Sequence, residues 1–588
     1  MSGLCGFVGP GDPAWVSTML AAIPYRGDRT DTAHAAGVGL GYRWWGGRPG
    51  KSPGIFRGPD GAIVVCAGTF APPVADPAAD LDRRLRQGDA GLADLDGAFA
   101  AARWDGRALT LLRDPFGVRS LYFVQVGGAL LFASELKQLL AVDAVPVTVD
   151  EAVIHAYLTF SFVPGKHTPI RGVERLLSGR RLVVAPGGAP AIDRWFELRE
   201  QVDPALADQG EAVRRVRVAA KAAVRRRLNG EAEVGLFLSG GLDSSAVAFW
   251  LKHAGQPVHA LSLDFGAASV EKEQANQVAA ALGMRHTWVP ADGARVAEGL
   301  DALVHLLDLP FGDAVTGPQQ LLARSARDLG LSAVFNGEGG DQLFGGWTSK
   351  PMVASAVYGG LHEEEEEAPE EAYLRAYHRF YGLEGALYTP AFAAAVGGAG
   401  RRKALLARYL GDPGTSFYLN RVRLADLSLK GCQNILPRAE RIANGHALDM
   451  RVPFFDRALA ELAFTLPPAL KLHGACEKYV LKLGLQDRLP DEIVWRRKFG
   501  MSVPVTDWLF GPRGEGARFR SPLTERLHDA LGPDAVRRRG WFRPEYVAGL
   551  LRGEDAPNEV RRRRLGEKVW ALLMLELWTR RFVDGRGR

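Results

Sequence analysis

The sequence predicts a two-domain protein of combined α/β and α+β class: a β-rich sandwich over residues 1–205 and a doubly wound parallel sheet with helices over residues 206–588. Three observations carry that expectation. At 588 residues the chain exceeds what one hydrophobic core usually serves. Up to about residue 200, short apolar runs alternate with Gly/Pro turns, a strand signature. From about residue 210, apolar strands alternate with helical periods, which predicts a parallel sheet covered on both faces and a site at the carboxyl ends of its strands.

In order, strands are expected over residues 62–66, 98–104, 109–112, 120–124 and 130–133, and a linker around Pro204. A helix before Leu228, a strand over 234–238, a helix after Ser244 and a strand over 258–264 follow, and beyond about residue 365 the chain reads as mainly helical. The acidic run 363–367 reads as an exposed loop or helix entrance.

With 47% hydrophobic and 24% charged residues the composition is globular. Cys5, Cys66, Cys432 and Cys476 have neither metal-ligand spacing nor a secreted disulfide pattern, which argues for a reducing compartment. No signal-like start and no bilayer-length apolar stretch is found, so a cytoplasmic protein without a membrane partner is expected. The net charge of +6 comes mostly from dispersed arginines. The run Arg561 to Arg564 reads as a solvated helix face, and no nucleic-acid partner is expected, though a basic surface would assist an acidic peptide or a nucleotide to approach.

The richest motif is residues 235–245, Gly-Leu-Phe-Leu-Ser-Gly-Gly-Leu-Asp-Ser-Ser. An apolar run, a Gly/Ser turn and a helix start present unpaired N–H groups and a positive helix end to phosphate. Ser239, Ser244 and Ser245 add hydroxyls, Gly240 and Gly241 permit close approach, and Asp243 can hold a divalent ion against the same phosphates. The lysine of a Walker loop is absent. The string instead resembles the pyrophosphate-binding loop of ATP pyrophosphatases, enzymes that adenylate a carbonyl or carboxyl oxygen.

Further strings extend the resemblance over nearly the whole chain: Tyr25-Arg-Gly-Asp, Leu95-Asp-Gly-Ala-Phe-Ala, Arg113-Asp-Pro-Phe-Gly-Val-Arg-Ser-Leu-Tyr, Phe132-Ala-Ser-Glu-Leu-Lys, Gly337-Glu-Gly-Gly-Asp-Gln-Leu-Phe-Gly-Gly-Trp, Arg451-Val-Pro-Phe-Phe-Asp and Trp495-Arg-Arg-Lys. Together they resemble the asparagine synthetase family, a class II glutamine amidotransferase domain followed by an ATP-dependent synthetase domain. The resemblance implies an Ntn-hydrolase-like sandwich and an adenine nucleotide α-hydrolase-like second domain, with ATP and magnesium.

The first domain departs from the family. Its glutaminases use an N-terminal Cys whose free α-amine is the base, whereas Cys5 here follows four residues. Where the family carries Asn-Gly-Glu this chain has Ala67, Gly68 and Thr69, and loss of the oxyanion amide costs a factor of about 100 to 1000 in rate. Trp44 stands in place of the arginine for the glutamine carboxylate, with Arg43 adjacent, and Asp80 is expected to preserve one further contact. The domain reads as a scaffold without glutaminase activity.

In the second domain the resemblance implies Asp243 and Asp341 as the magnesium carboxylates, Lys498 as the lysine stabilising charge on the α-phosphate and the acyl intermediate, and Glu338 as the carboxylate supporting adenylation or proton transfer. Leu238, Leu263 and Gly337 are expected as backbone contacts to the AMP portion. Asp449 aligns with a family Glu and is taken as a catalytic candidate or a structural acid. Gln342, Asn336 and the string Glu440-Arg-Ile-Ala-Asn-Gly depart from the family near the expected acceptor pocket and suggest a different carboxyl substrate.

Retained ATP chemistry without ammonia generation points to an amine on the activated substrate itself, where ring closure gains from enforced proximity. The favoured reading is a lasso-peptide cyclase, a macrolactam synthetase joining a peptide Asp or Glu side chain to the N-terminal amine, with a leader peptidase and a leader-recognition protein as partners. Alternatives are an asparagine synthetase, glutamine-hydrolysing or ammonia-dependent, a β-lactam-type synthetase on a small amino acid, and a non-catalytic scaffold. Retention of costly charges such as Asp243, Asp341 and Lys498 speaks against the scaffold.

Overall fold

The computed structural model describes residues 2–48, 50–346, 368–397, 400–496, 503–511, 519–554 and 558–585. Lys498 and the acidic run 363–367 lie outside the described residues.

The first domain is built from β1 (Ser2–Val8), β2 (Arg29–Ala35), β3 (Val38–Trp44), β4 (Phe56–Arg57), β5 (Ile63–Phe70), β6 (Gly97–Trp104), β7 (Leu109–Arg113), β8 (Tyr122–Val126), β9 (Ala129–Ala133), β10 (Glu174–Arg175), β11 (Arg180–Val184) and β12 (Ala191–Arg194). They form two six-stranded antiparallel sheets, ordered β10-β8-β9-β1-β3-β2 and β12-β11-β7-β6-β5-β4. Period-two alternation sends Leu4, Tyr42, Val65, Ala67, Ala102 and Phe132 into the layer between the sheets. Their neighbours face outward, where helix Ala14–Ala21 covers one sheet and helix Pro77–Arg86 the other. The result is an Ntn-hydrolase-like sandwich. The run expected over 62–66 is only the first part of β5, because apolar Ala67 and Phe70 continue the strand through Gly68 and Thr69. β2 (Arg-Thr-Asp-Thr-Ala-His-Ala) is mostly exposed and carries no apolar period from which it could be read.

A short 3-10 turn, Pro204–Ala207, leads to helix Gln209–Arg225, whose first turn is capped by the Asp208 carboxylate. The second domain holds a parallel sheet of β13 (Val234–Phe237), β14 (Val258–Asp264), β15 (Arg285–Pro290), β16 (Ala333–Phe335) and β17 (Asp449–Arg451), ordered β15-β14-β13-β16-β17. The chain runs outward from β13 to β15, then crosses back to β16. Right-handed crossovers therefore place helices Leu242–His253 and Thr316–Asp328 on opposite faces. The reversal between β13 and β16 is the switch point at which ligands bind.

The two domains share a continuous interface. Asp308 of the second domain caps helix Leu136–Leu140 of the first, its carboxylate accepting the backbone N–H groups of Leu136 and Lys137. The Tyr157 hydroxyl donates to the Ala571 carbonyl at 2.8 Å. Among the described residues no helix is long and apolar enough to cross a membrane.

Candidate nucleotide site

The loops leaving β13 and β16 meet at the switch point. The helix after β13 begins at Leu242, earlier than expected, so Asp243, Ser244 and Ser245 belong to its first turn. Ser239 and Ser244 knit the loop together with their hydroxyls 3.1 Å apart, and Ser239 Oγ accepts from the Gly241 N–H at 3.1 Å. Gly240 adopts φ +78°, and a Cβ there would stand 2.6 Å from the Ala275 nitrogen. A Cβ on Gly337 would stand 2.4 Å from the Ser244 nitrogen, so only glycine lets the β16 loop lie on the β13 loop.

Two adjoining cavities open here. A narrow apolar one of about 70 Å³ is lined by Leu238, Leu263, Phe265, Val270 and Trp288. A polar one of about 350 Å³ is lined by Ser239, Gly240, Gly241, Asp243, Ser244, Gly337, Glu338 and Asp341, with Asn336 and Gln342 beside them. An apolar slot beside a polar, helix-opening loop matches the two chemistries of a nucleotide, base and phosphates. Ser245 departs from expectation. Fully buried, it turns its hydroxyl onto the Gly241 carbonyl at 2.8 Å and does not line the cavity.

Glu338 is the partly exposed carboxylate on the cavity wall, with Arg438 3.6 Å away. Arg438 also pairs with Asp313 at 2.5 Å. Burial raises the Asp313 carboxyl, but Arg438, the Val315 N–H and the more distant Arg379 and Lys430 together hold its pKa below the ordinary value.

The sequence reading missed Lys478. Its buried ammonium donates to Asp243 and lies 2.6 Å from Asp341 Oδ1, bridging the two carboxylates proposed for magnesium. It precedes helix Tyr479–Leu485 with φ +55° and ψ 33°, a left-handed conformation that costs a non-glycine residue free energy. Burial opposes its charge, but Asp243 and Asp341 prevail and raise its pKa. No periodicity or turn signal around Cys476-Glu477-Lys478 marks it.

The same arrangement tests the site for magnesium. Asp243 and Asp341 converge closely enough to share one cation, and a Cβ on Gly340 would stand 2.2 Å from Asp243 Oδ1. Among the described residues no cluster of three or more His, Cys, Asp or Glu could enclose a metal. Two carboxylates without a full protein cage suit magnesium, which is commonly held by one or two carboxylates together with substrate phosphates. The residues fit the ion.

The first domain presents a different picture. Cys5 lies in mid-strand, opposite Gly41 on one side and Ala133 on the other, and its thiol contacts the Val16 carbonyl under helix Ala14–Ala21. It is fully buried, and burial raises its pKa well above the ordinary value. Ala67 packs between the sheets, and Trp44 stacks on Tyr42 at 4.9 Å. Asp80 is engaged by Arg83 and Arg84 on the outer helix.

Asp449 is likewise placed away from the cavity. It stands at the amino end of β17, opposite Ala333, whereas the site lies beyond the carboxyl ends. Lys51 at 2.9 Å, Arg119 at 3.0 Å and Arg451 at 2.9 Å surround its carboxylate, and Lys51 leads the charges that pull its pKa down against burial. Glu440 joins this interface by pairing with Arg26 at 2.9 Å and with Arg119, while Asn444 accepts from Arg119 at 3.2 Å. The string 440–445 therefore belongs to the domain interface and not to an acceptor pocket. A burial pattern with long-range partners could not be read from that string.

The asparagine synthase family matches residues 215–580, and a glutamine amidotransferase domain family matches residues 81–196. The chain is 25% identical to asparagine synthetase [glutamine-hydrolyzing] 1 of Bacillus subtilis over 521 residues, covering 82% of this chain and 77% of that protein. Asparagine synthetase [glutamine-hydrolyzing] 3 of the same organism is 27% identical over 69% of this chain and 67% of its own length. Amidase chyE of Penicillium rubens is 24% identical over 75% of this chain and 74% of its own length.

Proposed function

The chain belongs to the asparagine synthase family, and from that premise we propose that it adenylates a peptide side-chain carboxylate and closes it onto an amine of the same peptide, in the manner of a lasso-peptide cyclase. At the coarser level it is an ATP-dependent carbon–nitrogen ligase. The observation that carries the finer reading is the contrast between the two domains. The loops after β13 and β16 bring Ser239, Asp243, Ser244 and Asp341 to one cavity, while the thiol that would release ammonia is sealed in a mid-strand core position. Ammonia formed in the first domain would also have to pass a boundary filled by Arg26, Glu440, Arg119 and Asp449.

In the first step a carboxylate oxygen attacks the α-phosphorus of ATP and pyrophosphate leaves. In the second the amine nitrogen attacks the acyl carbon, loses a proton and expels AMP. Leu238, Leu263 and Trp288 offer the apolar slot to the adenine, and the loop 239–244 offers N–H groups and hydroxyls to the phosphates. Asp243 and Asp341 would hold magnesium, which neutralises phosphate charge when bound. Lys478 adds a positive charge beside them, Glu338 on the cavity wall is assigned to the amine proton, and Lys498 is assigned to the charge developing on the acyl adenylate. A leader peptidase and a leader-recognition protein complete the proposed system.

The test is exchange of labelled pyrophosphate into ATP, expected with a peptide bearing Asp or Glu and absent with free aspartate. A second reading, asparagine synthesis, is favoured by the names of the Bacillus subtilis relatives. Exchange with aspartate alone would select it.

A further inference from the structure

A third cavity, of about 530 Å³, lies where β11 and β12 face the helical part of the second domain. Arg180 and Arg194 are direct cross-strand partners in β11 and β12, and Arg408 reaches the same groove from helix Gly400–Leu410. Like charges directly opposed across a sheet are destabilising. Burial, then Arg408, lowers the pKa of Arg180; burial, then Arg180 and Arg408, lowers that of Arg194.

Their counter-charges are unevenly supplied. Arg194 pairs with Glu197, but among the described residues neither Arg180 nor Arg408 has an acidic partner within ion-pair distance. The other carboxylates of the groove are already engaged. Glu200 accepts from the Ser416 N–H at 2.7 Å and from Asn420, and Asp412 accepts from the Gly414 N–H at 3.0 Å and the Thr415 hydroxyl at 2.8 Å. The floor is apolar, with Phe116, Phe196, Leu424 and Leu427.

One wall also belongs to the nucleotide site. The π-helical segment Asp426–Ile435 turns Leu427, Ser428 and Cys432 to the groove, and Lys430 and Ile435 to the polar cavity. Such segments are frequent at functional sites.

We propose that this groove binds an acidic, partly apolar peptide segment, at a site separate from the nucleotide cavity, with Arg180 and Arg408 holding its carboxylates. The apolar residues beside the arginines disfavour a polyphosphate chain, which has no apolar part to bury, and suit a peptide. The assignment does not depend on ring closure, because any peptide ligand of this chemistry would satisfy it.

The test uses the full chain and a fluorescein-labelled peptide Glu-Phe-Glu-Leu-Glu, with Gln-Phe-Gln-Leu-Gln as its neutral counterpart, read by fluorescence anisotropy. The acidic peptide is expected to bind at least tenfold tighter than the neutral one, and added ATP with magnesium should not displace it. Arg408→Glu, on an exposed helix position, should weaken it at least tenfold while leaving ATP binding unchanged. Arg180→Gln should weaken it as well and raise the melting temperature, since it removes the cross-strand repulsion; a purely structural arginine would lower it. Equal binding of both peptides, binding unaffected by Arg408→Glu, or displacement by ATP would overturn the proposal. Tighter binding of single-stranded DNA, lost in Arg408→Glu, would assign the groove to nucleic acid instead.

Discussion

The Lys478 ammonium lies 2.6 Å from Asp341 and donates to Asp243, so one buried cation holds together two carboxylates from the first turns of the helices that follow β13 and β16. Removing it by Lys478→Met leaves two like charges in close approach, and loss of one partner of a buried pair costs about 3–5 kcal/mol. Thermal unfolding should show this loss, and magnesium should restore more stability to the variant than to the wild type. Pyrophosphate exchange should fall by about 100-fold or more. A variant as stable as the wild type, indifferent to magnesium, would remove the cation role from this position.

Glutamine should not serve as nitrogen donor. Cys5 is paired on both strand edges and buried under Val16, so Cys5→Ala should change neither ligase activity nor the background rate of glutamate formation. A steady glutaminase rate that vanishes in Cys5→Ala would restore the amidotransferase role of the first domain.

Asp449 should behave as a structural acid. Asp449→Ala strands Lys51, Arg119 and Arg451 at the domain boundary and is expected to destabilise the protein by about 3–5 kcal/mol. At temperatures well below unfolding it should keep the KM for ATP. A selective collapse of turnover at unchanged stability would return Asp449 to the catalytic set.

Burial, aided by Arg402, lowers the pKa of His155 to about 4, and its Nδ1 lies 2.8 Å from the Tyr388 hydroxyl. In the unfolded chain it protonates near 6.5. Above that value its contribution to stability is fully present, and it is lost as pH falls from about 6.5 to about 4, amounting to about 3 kcal/mol. Denaturant titrations of wild type and His155→Gln should therefore differ in slope across that window, the variant being the less pH-sensitive. Parallel slopes would contradict the assignment.

The sequence exposed the parallel sheet and its phosphate loop because both are local. Apolar runs at 234–238 and 258–264 became β13 and β14, and the whole string from Ser239 to Ser245, more than its two glycines alone, marked the close approach made at Gly240. What it hid depends on distant partners. Lys478 is an ordinary lysine until the fold carries it between Asp243 and Asp341. Glu440 and Asp449 look like site acids by their neighbours in sequence, yet Arg26, Lys51 and Arg119 of the other domain claim them. Ser245 shares a motif with Ser244, and both hydroxyls reach the Gly241 carbonyl, but one residue along a helix is about 100° of rotation, so Ser244 also meets Ser239 at the cavity while Ser245 is buried behind it.

The most direct measurement is mass spectrometry of a peptide with an internal Asp or Glu and a free N-terminal amine, incubated with the protein, ATP and magnesium. The account predicts a product lighter by one water, resistant to aminopeptidase, formed with one AMP and one pyrophosphate per ring. Lys498→Ala should lose it by at least the roughly 3–4 kcal/mol of one oxyanion-type contact. Free asparagine formed from aspartate and ammonia, with every peptide left unchanged, would contradict the account.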